Sequence, residues 1–235
     1  MAEGESGAAR AATALGIGAA LIALGIAALR FAPGDSPPPP LSSSAADLAA
    51  RRSEVVFDGA EAVFAARFRA ELGRDYAPLR LRAFTRQTAT PCAGAKGASG
   101  PFYCAETEDA AMDLAVVAAL EPRLRREAGA GIVLTAARLS AAHAAVALGP
   151  GSDADCLAGV FVAAAAEQLG PIRPALYGRT LEAAESALAA VAPRAEWRDP
   201  AFFARDRPAR EAAFARGVSA GRLSGCAGGP RLAEY

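Results

Sequence analysis

The sequence predicts an α+β fold, with a small early β-sheet and a mainly helical C-terminal part, preceded by one transmembrane helix. Three observations carry this reading. Leu79 to Thr85 alternates Leu79, Leu81, Ala83 and Thr85 with Arg80, Arg82 and Phe84, the period of a half-buried strand. Beyond Leu114 the apolar residues recur with a helical period instead. Ala11 to Leu29, finally, carries no charge at all.

That uncharged run opens the chain's organisation. Nineteen such residues reach about 28 Å as a helix, enough to cross the hydrocarbon core. The expected division is a cytoplasmic N-terminus at 1–10, an anchor at 11–31, a linker at 32–46 and an exported domain at 47–235. A cleavable signal peptide is the competing reading, since Gly25-Ile26-Ala27 loosely imitates a cleavage site. The apolar run is long for that purpose, and its leader sets Glu3 and Glu5 against Arg10 alone. Pro37 to Pro40 and Ser42 to Ser44 then form a stiff, solvated spacer.

All four cysteines, Cys92, Cys104, Cys156 and Cys226, lie beyond the spacer. An even number in an exported domain reads as two disulfides, with three connectivities open. A zinc cluster is the rival, but the chain has no C-x-x-C pair and only one histidine, His143. Arg10 and Arg30 flank the anchor symmetrically and leave orientation open. Disulfides need an oxidising compartment, which places the C-terminal domain outside a bacterial inner membrane. The 25 basic and 25 acidic side chains balance. Nucleic acid is therefore excluded as a partner, because neutralising phosphates takes a basic footprint.

Within the domain, Asp58-Gly-Ala-Glu61 has capping-box spacing, and Phe64, Phe68 and Leu72 recur on one face of a helix ending at Gly73. A Gly/Ala/Ser loop from Pro91 to Gly100 follows the first strand. Phe102-Tyr103-Cys104 suits a short return strand, and Ala111 to Leu114 another. Helices are expected at Leu114 to Arg126 and Ile132 to Leu148. A third should open at Ser152-Asp-Ala-Asp155 and run through Leu169. A further one starts at Thr180 and stops at Pro193, and the last spans about Pro208 to Arg222.

Three segments go beyond composition and periodicity. They are Cys92-Ala-Gly-Ala to Gly100-Pro-Phe-Tyr-Cys104, Ala154-Asp-Cys-Leu-Ala-Gly-Val-Phe161, and Arg210…Phe214-Ala-Arg216-Gly217…Gly221…Cys226. Together with Met112-Asp113-Leu114, they resemble the neutral zinc metallopeptidase family in order and in cysteine placement. The resemblance spans about Leu79 to Cys226. It implies a zincin-like fold and the pairing Cys92–Cys104 and Cys156–Cys226.

The resemblance also implies a site, and here the sequence departs from the family. Zincins hold zinc with His-Glu-x-x-His on a helix, the Glu serving as general base, and this family adds a later Glu ligand. Laid on Gly131 to His143, the two histidine positions hold Ala136 and Ser140, and the general-base position holds Ala137. The later ligand position holds Gly151, and an additional family histidine corresponds to Ala204. The long stretch between the two metal-binding helices is reduced to His143 through Asp153. One histidine cannot form the motif at any register. No catalytic residue and no cofactor is therefore expected, although zinc belongs to the family.

Arg138, His143 and Asp155 stay as candidates for a vestigial cleft. His143 falls off the ligand positions and is expected as an ordinary polar residue. Asp155 is expected to cap a helix, and Arg138 to be solvated. Ser140 lacks the glycine elbow and paired acid of a serine nucleophile. The expected function is an anchored, exported pseudopeptidase binding an unknown protein or peptide partner. The alternative is a hydrolase working through an unrecognised metal site or a partner subunit.

Overall fold

The computed structural model describes residues 42–227, apart from 125–126, 171 and 205. The expected N-terminus and anchor, and most of the linker, lie outside the described residues. The described part falls in one compact unit, Pro38–Tyr235.

The first helix, α1, runs Ser43–Leu72. Ser42 caps it by accepting from the Ala45 amide, and Gly73 ends it in the left-handed region at φ 61°. Asp58-Gly-Ala-Glu61 is thus no helix start: the helix passes straight through it, and Glu61 is buried. Short β1 (Leu81–Phe84) follows, then β2 (Phe102–Cys104) and β3 (Asp109–Asp113). The sheet order is β1-β3-β2, with β1 parallel and β2 antiparallel to β3. Asp113 ties the sheet to its surroundings, accepting from the amides of Arg86 (2.9 Å), Gly100 (3.1 Å) and Ala115 (3.0 Å).

The helical part begins with α2 (Leu114–Leu124) and α3 (Ala128–Leu148). Next come α4 (Ala154–Ala164), a short α5 (Ala166–Leu169), α6 (Pro174–Val191) and α7 (Arg207–Ala220). Two expectations need correction here. The apolar helix through Leu169 breaks at Ala165, and α6 starts at Pro174 rather than at Thr180. Proline at the first position suits a helix start, because its missing N–H would have no partner there. Thr180 sits a turn and a half inside, donating its hydroxyl to Leu176 O at 2.8 Å.

The main core lies where α3 packs between α1 and α4, with Phe57, Phe64, Phe68, Leu134, Leu139 and Leu157 fully buried. By length and composition α3 could cross a membrane, yet most of it is buried inside this fold. Helix α4 packs with its backbone close to that of α7, and two glycines allow the approach. A Cβ on Gly217 would lie 1.7 Å from Cys156 O, and one on Gly159 would lie 2.2 Å from Phe214 O. Both glycines belong to the motifs that carried the family resemblance, and their reason is backbone-to-backbone approach. Beside this crossing Cys156 joins Cys226, and Cys92 joins Cys104 under the loop, as the resemblance implied.

Candidate functional site

Helix α3 carries polar side chains on two opposite sides, and each side is sealed into its own buried cluster. Ala136, Ser140 and His143 share one face by their spacing of four and three residues. That face meets Glu61 of α1. Ser140 Oγ donates to Glu61 Oε1 at 2.6 Å, and the Leu79 amide donates to Oε2 at 2.8 Å. Tyr76 Oη lies 3.1 and 3.0 Å from the two carboxylate oxygens and 2.8 Å from His143 Nδ1. His143 Nδ1 is also 3.2 Å from Glu61 Oε2. Tyr76 has one proton to give, and the carboxylate only accepts. Both contacts of His143 are satisfied together when Nδ1 carries a proton and the tyrosine hydroxyl points at Glu61.

Burial and the neighbouring Glu61 charge push the Tyr76 hydroxyl well above the usual tyrosine range. Tyr103, whose ring centroid is 5.8 Å from that of His143, is pushed up to about 12 by burial and by Glu108 and Glu61. His143 is therefore not the ordinary polar position expected. It is 5% exposed and belongs to a hydrogen-bonded group.

On the other side of α3, Arg138 is 4% exposed, which corrects the expectation that it is solvated. Its Nε donates to Asp155 Oδ1 at 2.7 Å. Arg210 of α7 reaches the same carboxylate in a fork, Nε to Oδ2 at 2.8 Å and Nη2 to Oδ1 at 2.9 Å. Tyr177 Oη also donates to it. Asp155 does not cap its helix. Asp153 does so, accepting from the amides of Asp155 and Cys156. Burial alone would raise the Asp155 carboxyl, but the two guanidiniums beside it outweigh burial and hold it at about 2. One carboxylate thus faces two buried cations. The surplus positive charge is solvated by carbonyls, with Arg210 Nη1 donating to Phe202 O and Ala204 O, and Arg138 Nη2 to Ala201 O.

The degenerate positions can now be placed. Ala136, Ala137 and Ser140 are each 0% exposed. Two of them offer a methyl group, and the third is committed to Glu61. Gly151 lies in the tight turn between α3 and α4 with φ 86°, a conformation that suits glycine. Ala204 contributes its carbonyl to Arg210. Among the described residues, no group of three His, Cys, Asp or Glu side chains is placed to hold a metal ion. This donor set does not fit zinc, which takes three or four N, S or O ligands in tetrahedral array.

Residues 34–143 match the model of the "Putative neutral zinc metallopeptidase" family. Over that stretch the chain is similar to these peptidases. The match takes in the first disulfide loop and the helix positions 136, 137 and 140, and it ends at His143. The Ala-Asp-Cys and Arg-Gly segments lie beyond it, and their tie to the family rests on the motif resemblance and on the disulfide they share. Searches of curated proteins and of solved structures found no match.

Sequence reasoning missed Glu61 and Tyr76. Glu61 was read as a cap because its spacing from Asp58 allowed it, and Tyr76 stood in a stretch with no pattern. The available signal was a carboxylate at the helix position between Phe57, Ala60 and Phe64, on a face otherwise apolar.

Proposed function

We propose that this is a membrane-anchored, exported relative of the zinc metallopeptidases that keeps the scaffold and does no metal-dependent hydrolysis. Its role is then non-catalytic, the binding or regulation of a protein or peptide partner at the cell envelope. The observation that carries the reading is Ser140. At the position of a ligand imidazole stands a hydroxyl, wholly buried and donated to Glu61 at 2.6 Å. With Ala136 one turn before it, the helix face is occupied by packing and by an internal hydrogen bond.

The rest of the chain is consistent with a domain built to last outside the cytoplasm. Two disulfides staple it, and such bonds persist in oxidising compartments. The uncharged run at 11–29 supports the anchor. The test is hydrolysis of casein and of a mixed peptide library by the full chain, with added zinc and with chelator. The proposal expects no turnover above background in either condition. Turnover abolished by chelator would overturn it.

A further inference from the structure

We propose that one face of α1 lies on the surface of the membrane that holds the anchor and binds its anionic lipid headgroups. The face is a stripe with helical spacing, Leu48, Arg51, Arg52 and Val55, at i, i+3, i+4 and i+7. Leu48 is 45% and Val55 72% exposed, two of the four large hydrophobic side chains that stand out among the described residues. Beside the stripe runs a groove of about 510 Å³, formed by Arg51, Arg52, Val55 and Val56 on α1 and Ile132 and Val133 on α3. Its lining is mainly apolar, and two guanidiniums stand over it. Neither makes a hydrogen bond or close ion pair among the described residues. Arg52 faces the charge of Glu121.

This composition fits a bilayer interface: apolar side chains enter the acyl boundary while arginines lie along it and reach phosphates. At about 100° per residue, the exposed Asp47, Glu54 and Asp58 form the row next to Arg51, with Asp47 at i−4 and Glu54 at i+3 from it, so the cationic edge of the stripe is the Arg52 side that borders Val56 and the groove.

Placement along the chain selects the partner. The proposal rests on the anchored reading above. From Pro33 to Ser42 the spacer can extend about 33 Å at most. Arg52 lies nine residues into α1, about 14 Å from its first turn. The stripe is thus held within about 50 Å of the bilayer, where contact needs no encounter from solution. Tethering makes even weak lipid affinity count, because the effective concentration of surface is high. Each arginine near an anionic surface contributes about 1 kcal/mol, roughly fivefold per residue in occupancy.

The experiment uses the full chain carrying Val55→Trp, reconstituted in nanodiscs of phosphatidylcholine or of phosphatidylcholine with phosphatidylglycerol. The fluorescence of unsubstituted chain is subtracted to remove Trp197. The proposal expects the added tryptophan to emit at shorter wavelength in the anionic discs than in the neutral ones. Arg51→Glu with Arg52→Glu should abolish that difference, and so should high salt. Both arginines are exposed, so the charge reversal leaves the core intact. Entry into discs with the same water-like emission in both lipids overturns the docking and spares the anchor. A chain that fails to enter discs overturns both. A blue shift already present in detergent alone, or equal in both lipids, means another occupant, such as a second copy, and also overturns it.

Discussion

Replacing Asp155 with asparagine keeps the shape of the side chain and deletes the one negative charge between Arg138 and Arg210. Both guanidiniums are nearly sealed from solvent, 4% and 3% exposed, so water cannot take over the role of the carboxylate. Removing one partner from a buried ion pair costs about 3–5 kcal/mol, because the remaining charge is left uncompensated. A domain of this size shifts its melting temperature by roughly 2–4 °C per kcal/mol, so the expected fall is roughly 6–20 °C. Arg138→Met supplies the contrast. It leaves Asp155 with the two-bond fork from Arg210 and removes the surplus cation, so its cost should be clearly smaller. Circular dichroism melting of the chain and both variants measures the order. Asp155→Asn melting within about 2 °C of the parent, or Arg138→Met melting below it, would refute the charge argument.

The same carboxylate predicts a pH dependence. Its folded value of about 2 lies below its ordinary 3.8, so the stability it contributes is complete above pH 3.8. That contribution, roughly 2 kcal/mol, is lost as pH falls through 2, and urea titrations at pH 5 and pH 2.5 should show the loss in the parent more than in Asp155→Asn. Opening the Cys156–Cys226 loop, with a separation of 70, should cost more than opening the Cys92–Cys104 loop, with a separation of 12. Chain entropy gives roughly 4.4 against roughly 2.8 kcal/mol, and paired Cys→Ser variants followed by melting check the order. Gly217→Ala should prevent folding or lower the melting temperature severely, since its methyl would enter the Cys156 carbonyl; a mild effect would mean the α4–α7 crossing is looser than described. In an alkaline titration followed by phenolate absorbance, Tyr76, Tyr103 and Tyr177 should stay largely protonated at pH 11 until the fold opens.

Much of this fold was legible because its signals are local. The alternation at Leu79 to Thr85 located β1, Gly73 marked the end of α1, and the Phe64 and Phe68 stripe located its buried face. The two clusters were not legible, because their members come from separate helices and, for Tyr76, from the segment after α1, and only packing brings them together. Arg138 and Asp155 are 17 residues apart and Arg210 lies 55 further on. A buried arginine in an alanine-rich helix looks the same in sequence as a solvated one. Asp155 stood three residues after Ser152, where capping gave a sufficient local explanation. The helix start at Ser43 was hidden by the serine run, which serves equally as spacer and as cap. The motif glycines were visible as motif, but their reason needed the α4–α7 crossing.

The central proposal is that a zinc-peptidase-like scaffold persists here around a helix face that does not hold the metal. Metal content by mass spectrometry, on full chain purified from zinc-supplemented cells, tests it most directly. The account predicts zinc far below one atom per chain and the same melting temperature with and without chelator. Stoichiometric zinc whose removal lowers the melting temperature would contradict it.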